Sequence, residues 1–119
     1  MAKSFLIVDD TLFMRRLLKE AINSSGYRVI AEASNGNEAI QQYKKTNPDW
    51  VTMDITMPNK DGLEALEEIM QFDPTAKIIV CSAIGQQHMI TKALQLGAKD
   101  FLVKPIKLDK LNSILDNMV

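Results

Sequence analysis

Five residues of this 119-residue chain stand where chemistry is often found, each directly after a short apolar run. Asp9 and Asp10 follow residues 5–8, Asp54 follows 50–53, Ser82 follows 77–81, and Lys104 follows 101–103 and precedes Pro105. Carboxylates about 4 Å apart repel by roughly 4 kcal/mol per pair at an effective dielectric of 20, so three of them gathered together favour a cation. All-oxygen ligands select a hard ion such as Mg2+, which takes one or two carboxylates together with phosphate oxygens. Lys104 would then neutralise phosphoryl oxygens as a point charge, and Ser82 would donate a hydrogen bond. One carboxylate would accept the phosphoryl group as an aspartyl-phosphate. Such a transfer is catalysed mostly by positioning and charge stabilisation.

Short apolar runs alternate with longer stretches of helical period. Residues 5–8, with Phe5, Leu6, Ile7 and Val8, read as a strand covered on both faces. Residues 11–25 read as a helix with Met14, Leu17, Leu18, Ala21 and Ile22 inward, ended by Gly26. A more polar strand, 28–33, suits a sheet edge. A helix over 36–46 stops at Asn47-Pro48. Strand three spans 50–53, and helix three spans 62–71 with Leu63, Leu66, Ile69 and Met70 inward. Strand four spans 77–81. A helix over 86–96 carries Met89, Ile90, Ala93 and Leu94 and closes at Gly97. Strand five spans 101–103, and a last helix over 107–118 buries Leu108, Leu111, Leu115 and Met118. Strand-helix alternation in so short a chain predicts an α/β fold, (βα)5, with an open parallel sheet and helices on both faces. In such sheets, function lies beyond the carboxyl ends of the strands. The five chemical residues all fall there; strand two ends in nothing chemical.

Composition bounds the answer. The length suits one domain over residues 1–119. With a net charge of -1 the chain lacks the concentrated basic surface of a nucleic-acid binder. Cys81 is the single cysteine, so no internal disulfide or cysteine-based zinc site is available, and a reducing cytoplasm is expected. No apolar run approaches the ~20 residues of a membrane span, and no signal peptide is visible.

Val8-Asp9-Asp10, Met53-Asp54-Ile55-Thr56-Met57-Pro58, Asp61-Gly62, Ser82-Ala83 and Lys104-Pro105 together resemble the response-regulator receiver domains of two-component signalling, over the whole chain. The resemblance implies a flavodoxin-like three-layer sandwich with strand order 2-1-3-4-5, which sets strand three beside strand one and Asp54 beside Asp9 and Asp10. It implies that Asp54 is the phosphoacceptor. Asp9 and Asp10 would hold Mg2+ with it, Asp10 more directly, and the Thr56 backbone carbonyl would be a third protein ligand. It gives Ser82 the switch hydroxyl, Lys104 the family's lysine, often in a cis peptide with the following proline, and Phe101 the switch aromatic. Ser82 stands where threonine is frequent and Phe101 where tyrosine is frequent, so the two positions of Phe101 can differ only in packing. Thr56 and Ile84 occupy the variable positions that tune phosphoryl lifetime.

With no output domain after Val119, the output would be a changed binding surface on helix four, strand five and helix five, where Lys92, Lys99, Lys107 and Lys110 surround Phe101. Such a surface suits an acidic or amphipathic target. Phe13-Met14-Arg15-Arg16 and the segment 81–87 point within the family to single-domain chemotaxis regulators. That implies a CheA-like histidine kinase as donor, the flagellar motor switch as target, a phosphatase as a further partner, and a monomer that is a switch rather than an enzyme.

Competing readings are specific. A phosphorelay intermediate would pass the phosphoryl group to a histidine phosphotransferase. An aspartate-nucleophile phosphatase would need a cap insertion and an acid two residues after Asp54, where Thr56 stands. A flavodoxin-like cofactor binder would need a phosphate loop after strand one, and a P-loop is absent. Taken singly, Asp9 or Asp10 could cap the first helix, Asp54 could be a loop residue, Ser82 a turn residue and Lys104 a solvated side chain; their joint arrival at one rim opposes this. His88 and Glu64, Glu67 and Glu68 read as surface, and Cys81 as inert. Trp50, four residues before Asp54, lies about 13 Å from it along a strand, so metal binding should barely disturb its fluorescence.

Overall fold

The computed structural model describes residues 3–57 and 61–117. Its strands are the apolar runs. Ser4–Val8 (β1), Arg28–Ala33 (β2), Trp50–Asp54 (β3), Ile78–Ser82 (β4) and Asp100–Val103 (β5) form one parallel sheet in the order β2-β1-β3-β4-β5. Each crossover is a helix: Leu12–Ser24 (α1), Gly36–Thr46 (α2), Gly62–Phe72 (α3) and Gln87–Leu96 (α4), with Leu108–Asn117 (α5) closing the series. The polar strand β2 takes an edge, as its composition predicts, because a central strand must bury both faces.

The period-two alternation of the strands sorts the core into two layers. Leu6, Val8, Val51, Met53, Ile78 and Val80 face the helices α2, α3 and α4, meeting Ile40, Leu66, Ile69 and Ala93. Phe5, Ile7, Trp50, Ile79, Cys81 and Leu102 face α1 and α5, meeting Leu18, Ile22, Leu111 and Ile114. The helices start and stop on local chemistry. Thr11, Asn35 and Asp61 cap α1, α2 and α3 by accepting from the backbone N–H three residues on. Asn47 and Gly97 end α2 and α4 in the left-handed region.

Three inward expectations fail. Leu17, Leu94 and Leu108 are exposed, Leu108 by 48%. Leu108 is the first residue of α5, where the helix has yet to reach the sheet, and with Leu17 it lines an apolar groove between α1 and α5. Leu94 lies about 100° around α4 from Ala93, and α4 buries only Ile90 and Ala93. Met118 and Pro58 lie outside the described residues. Two strands run one residue further than the apolar pattern suggests. Asp54 pairs with Cys81 and Ser82 with Val103, so both residues belong to the sheet itself.

Candidate functional site

The mouth of the sheet is built by continuing its alternation past the apolar runs. Asp54 extends the face of β3 that carries Trp50, and Lys104 extends the face of β5 that carries Leu102. Asp9 N–H donates to the Ala33 carbonyl at 3.1 Å, which prolongs the β1–β2 ladder by one residue. Because β1 and β3 are neighbours, Asp9, Asp10 and Asp54 meet, each offering a carboxylate oxygen within 4.8 Å of the others. Asp9 and Asp54 are buried and Asp10 is exposed.

Each buried acid is held at both oxygens. Thr11 donates its N–H and Oγ1–H to Asp9 Oδ1 at 2.9 and 3.0 Å. Thr56 does the same to Asp54 Oδ1 at 3.0 and 3.1 Å. The second oxygens face Lys104, whose Nζ lies 3.1 Å from Asp9 Oδ2 and 3.2 Å from Asp54 Oδ2. Burial pushes the Asp54 carboxyl above the usual range, and the Asp9 charge adds to this against the opposing pull of the Thr56 N–H and Lys104. Burial alone would lower the Lys104 ammonium, but the charges of Asp54 and Asp9 reverse that and raise it. At 4.8 Å a like pair costs roughly 3–4 kcal/mol at an effective dielectric of 20. One ammonium against three acids leaves a net negative site of hard oxygen donors, and that donor set fits Mg2+.

Ser82 extends the opposite face of β4, the one carrying Ile78 and Val80. It is fully buried, and among the described residues its Oγ has no hydrogen-bond partner. Phe101 packs half-buried against the same layer of the core. The Lys104-Pro105 peptide is cis. Thr56 and Ile84 are exposed at the mouth. Lys107 and Lys110 line a groove of about 340 Å3 with Phe101 and Ile84, and Lys92 and Lys99 are exposed nearby in sequence. Capping of α1 falls to Thr11, not to Asp9 or Asp10. His88 is exposed, and burial raises the Cys81 thiol to about 12, as expected of inert positions.

Two details of the site are not legible in the sequence: the bonds from Thr11 and Thr56 to the acids, and the close approach of Gly62 to Asp54. The spacing Asp-x-Thr at 9–11 and 54–56 was the available signal for the threonines, and it recurs at 73–75, where Thr75 binds Asp73 Oδ1 in the same way. Gly62 was legible only as part of a motif. In the structure its Cα packs on the Asp54 carbonyl so closely that a Cβ would lie 2.1 Å from that oxygen.

An open (βα)5 sheet with an acid trio and a lysine at its switch point defines the class, and the chain belongs to the response regulator receiver domain family, whose match spans residues 5–116. Within the family, several strong likenesses are to chemotaxis proteins. Chemotaxis protein CheY of Thermotoga maritima is 53% identical over 118 residues, covering 99% of this chain and 98% of its own length. Chemotaxis protein CheY of Bacillus subtilis is 54% identical over 111 residues, covering 93% of this chain and 92% of its own. The CheX–CheY–BeF3–Mg2+ complex from Borrelia burgdorferi contains a chain that superposes with a TM-score of 0.91 at 40% identity, covering 98% of this chain and 90% of that one. Among the described residues, no helix is long and apolar enough to cross a membrane.

Proposed function

We propose that the chain, as one receiver domain over residues 1–119, is the phospho-accepting switch of a two-component system. The observation that carries this reading is Asp54, buried and flanked by two further acids within 4.8 Å, with Lys104 shared between Asp54 and Asp9. A carboxylate oxygen of Asp54 attacks the phosphorus of a phosphohistidine on a CheA-like kinase. The P–O bond forms as the P–N bond breaks, and the imidazole leaves with the electron pair and takes up a proton. Asp9, Asp10, Asp54 and the Thr56 carbonyl would hold Mg2+, which when bound offsets the charge of the acids and of the arriving phosphoryl oxygens. Thr56, through Asp54 Oδ1, fixes the orientation of the nucleophile. Lys104 exchanges carboxylate partners for phosphoryl oxygens, and the orphaned Ser82 hydroxyl gains an acceptor. An orphan donor drawn to a new acceptor gives the two states different energies, and Phe101 on the same face carries the change to the surface of α4, β5 and α5.

The flagellar motor switch is the target favoured by the likeness to the two CheY proteins, with action as a cytoplasmic monomer. A phosphatase completes the cycle; the Borrelia burgdorferi CheY was solved with CheX as its partner. Incubation with Mg2+ and a small phosphodonor, followed by intact mass, tests the proposal. One phosphoryl group is expected on the unaltered chain and none on Asp54→Ala; labelling of both would refute Asp54 as acceptor.

A further inference from the structure

We propose that Arg15, braced by Glu32, is the positioning residue that aims the Asp10 carboxylate into the cation site, an inference that rests on reading the mouth as a Mg2+ site. Asp10 is the exposed acid of the trio, and among the described residues no hydrogen bond or ion pair holds its side chain. Asp9 and Asp54 are aimed by threonines and by Lys104, whereas Asp10 is aimed only by its backbone. The peptide leading into Asp10 begins at the Asp9 carbonyl, and Arg15 Nη1 donates to that oxygen at 2.8 Å. Peptide units are planar, so fixing the oxygen fixes the plane that carries the Asp10 nitrogen.

The clamp is itself held. Arg15 Nε donates to Glu32 Oε1 at 3.2 Å, and Lys19 Nζ lies 3.7 Å from Glu32 Oε2. Arg15 lies in the first turn of α1, and side chains on a helix lean toward its N-terminus, which carries the guanidinium back over the loop 9–11. Its rigid fork serves two acceptors at once, which a lysine cannot do in the same geometry. Glu32 belongs to β2, next to Ala33, whose carbonyl takes the Asp9 N–H. The edge strand therefore fixes Asp9 at its nitrogen directly and at its carbonyl through Arg15.

A guanidinium beside a cation site is unfavourable as a bare charge, and Glu32 offsets that charge. Charge and positioning therefore push Mg2+ affinity in opposite directions, which makes the inference testable. Titration calorimetry of the full chain with MgCl2, without phosphodonor, would compare Arg15→Gln and Arg15→Lys with the unaltered chain, alongside thermal unfolding in EDTA. Positioning predicts about fivefold to tenfold weaker Mg2+ binding for Arg15→Gln, part of the worth of one charge-assisted hydrogen bond, and a smaller loss for Arg15→Lys. Unchanged or tighter binding in Arg15→Gln, or a lowered unfolding temperature with affinity intact, overturns the inference and leaves the site reading standing. Failure of the unaltered chain to bind Mg2+ overturns both.

Discussion

Replacing Gly62 by alanine tests how tightly β3, the strand that carries Asp54, is held. The new Cβ would lie 2.1 Å from the Asp54 carbonyl oxygen and 2.6 Å from the Ile55 Cα, where real contacts do not fall below 3.0 Å. Both neighbours are backbone, and the oxygen belongs to a strand paired on both sides, so neither can swing away. The start of α3 and the end of β3 must separate by about 0.9 Å or more. Overpacking of this kind costs about 3 kcal/mol. A chain of this length loses roughly 0.25 kcal/mol per kelvin at its midpoint, so Tm should fall by about 12 °C. Gly26→Ala is the control: it has open space but a φ of 90°, so it reports backbone strain alone. That strain costs about 1–2 kcal/mol, a fall of roughly 4–8 °C. Circular dichroism melts of the two variants in EDTA decide the matter. A fall of under about 2 °C for Gly62→Ala, or one no larger than that of Gly26→Ala, would refute the argument from close approach. Since the displaced carbonyl is that of Asp54, phosphodonor labelling should also slow in Gly62→Ala and stay normal in Gly26→Ala.

Ser82→Ala and Thr52→Val each remove a buried hydroxyl that has no partner among the described residues, so denaturant melts should find both neutral or more stable by about 1 kcal/mol; a clear loss in either would mean that the hydroxyl is satisfied in solution. Lys104→Met leaves two buried acids facing each other, and should cost about 2–3 kcal/mol, less than a fully buried pair because the ammonium is a quarter exposed; saturating Mg2+ should restore more stability to this variant than to the unaltered chain, as melts with and without the ion would read. Tyr43 donates to Asp73 Oδ2 at 2.7 Å, and the Thr75 and Tyr43 hydroxyls hold the Asp73 carboxyl below its usual range. Such a depressed acid stabilises the fold above its unfolded pKa and loses that contribution as pH falls through its folded one. Tyr43→Phe should therefore cost about 1 kcal/mol at pH 7, with the gap narrowing below about pH 4; a gap constant with pH would refute the assignment. Trp50 is buried in the α1–α5 layer at the far end of β3, so Mg2+ should alter its fluorescence by only a few per cent, and strong quenching would contradict this placement.

The sheet was legible because its signal is coarse. Runs such as residues 5–8 and 50–53 are apolar on both faces, and only a covered parallel strand needs that. Gly26 and Gly97 mark helix ends by their tolerance of positive φ, and Asn47 marks one because a proline follows it. Asp9, Asp10, Asp54 and Lys104 could be grouped because topology alone brings strand ends to one rim. What stayed hidden depends on three-dimensional detail. The face on which Ser82 falls follows from counting two residues at a time from Ile78, and strand four ended one residue early in the sequence reading. The exposure of Leu17 and Leu108 is hidden because an apolar residue on a helix looks the same whether it meets the sheet or borders a groove. The role of Arg15 is hidden too, since nothing local says that its guanidinium reaches back to a carbonyl six residues earlier.

Copying the tripeptide 54–56 into another loop would carry none of its chemistry along. The turn at 73–75 grips its aspartate with the same two donors, yet lies at the opposite rim, where the neighbour is a tyrosine hydroxyl. The reactivity proposed for Asp54 is a property of address, granted where two adjacent strands send their connections to opposite sides and so leave a crevice between two gripped acids. An architecture of this kind offers one such address, and acquiring a second requires a second copy of the whole sheet.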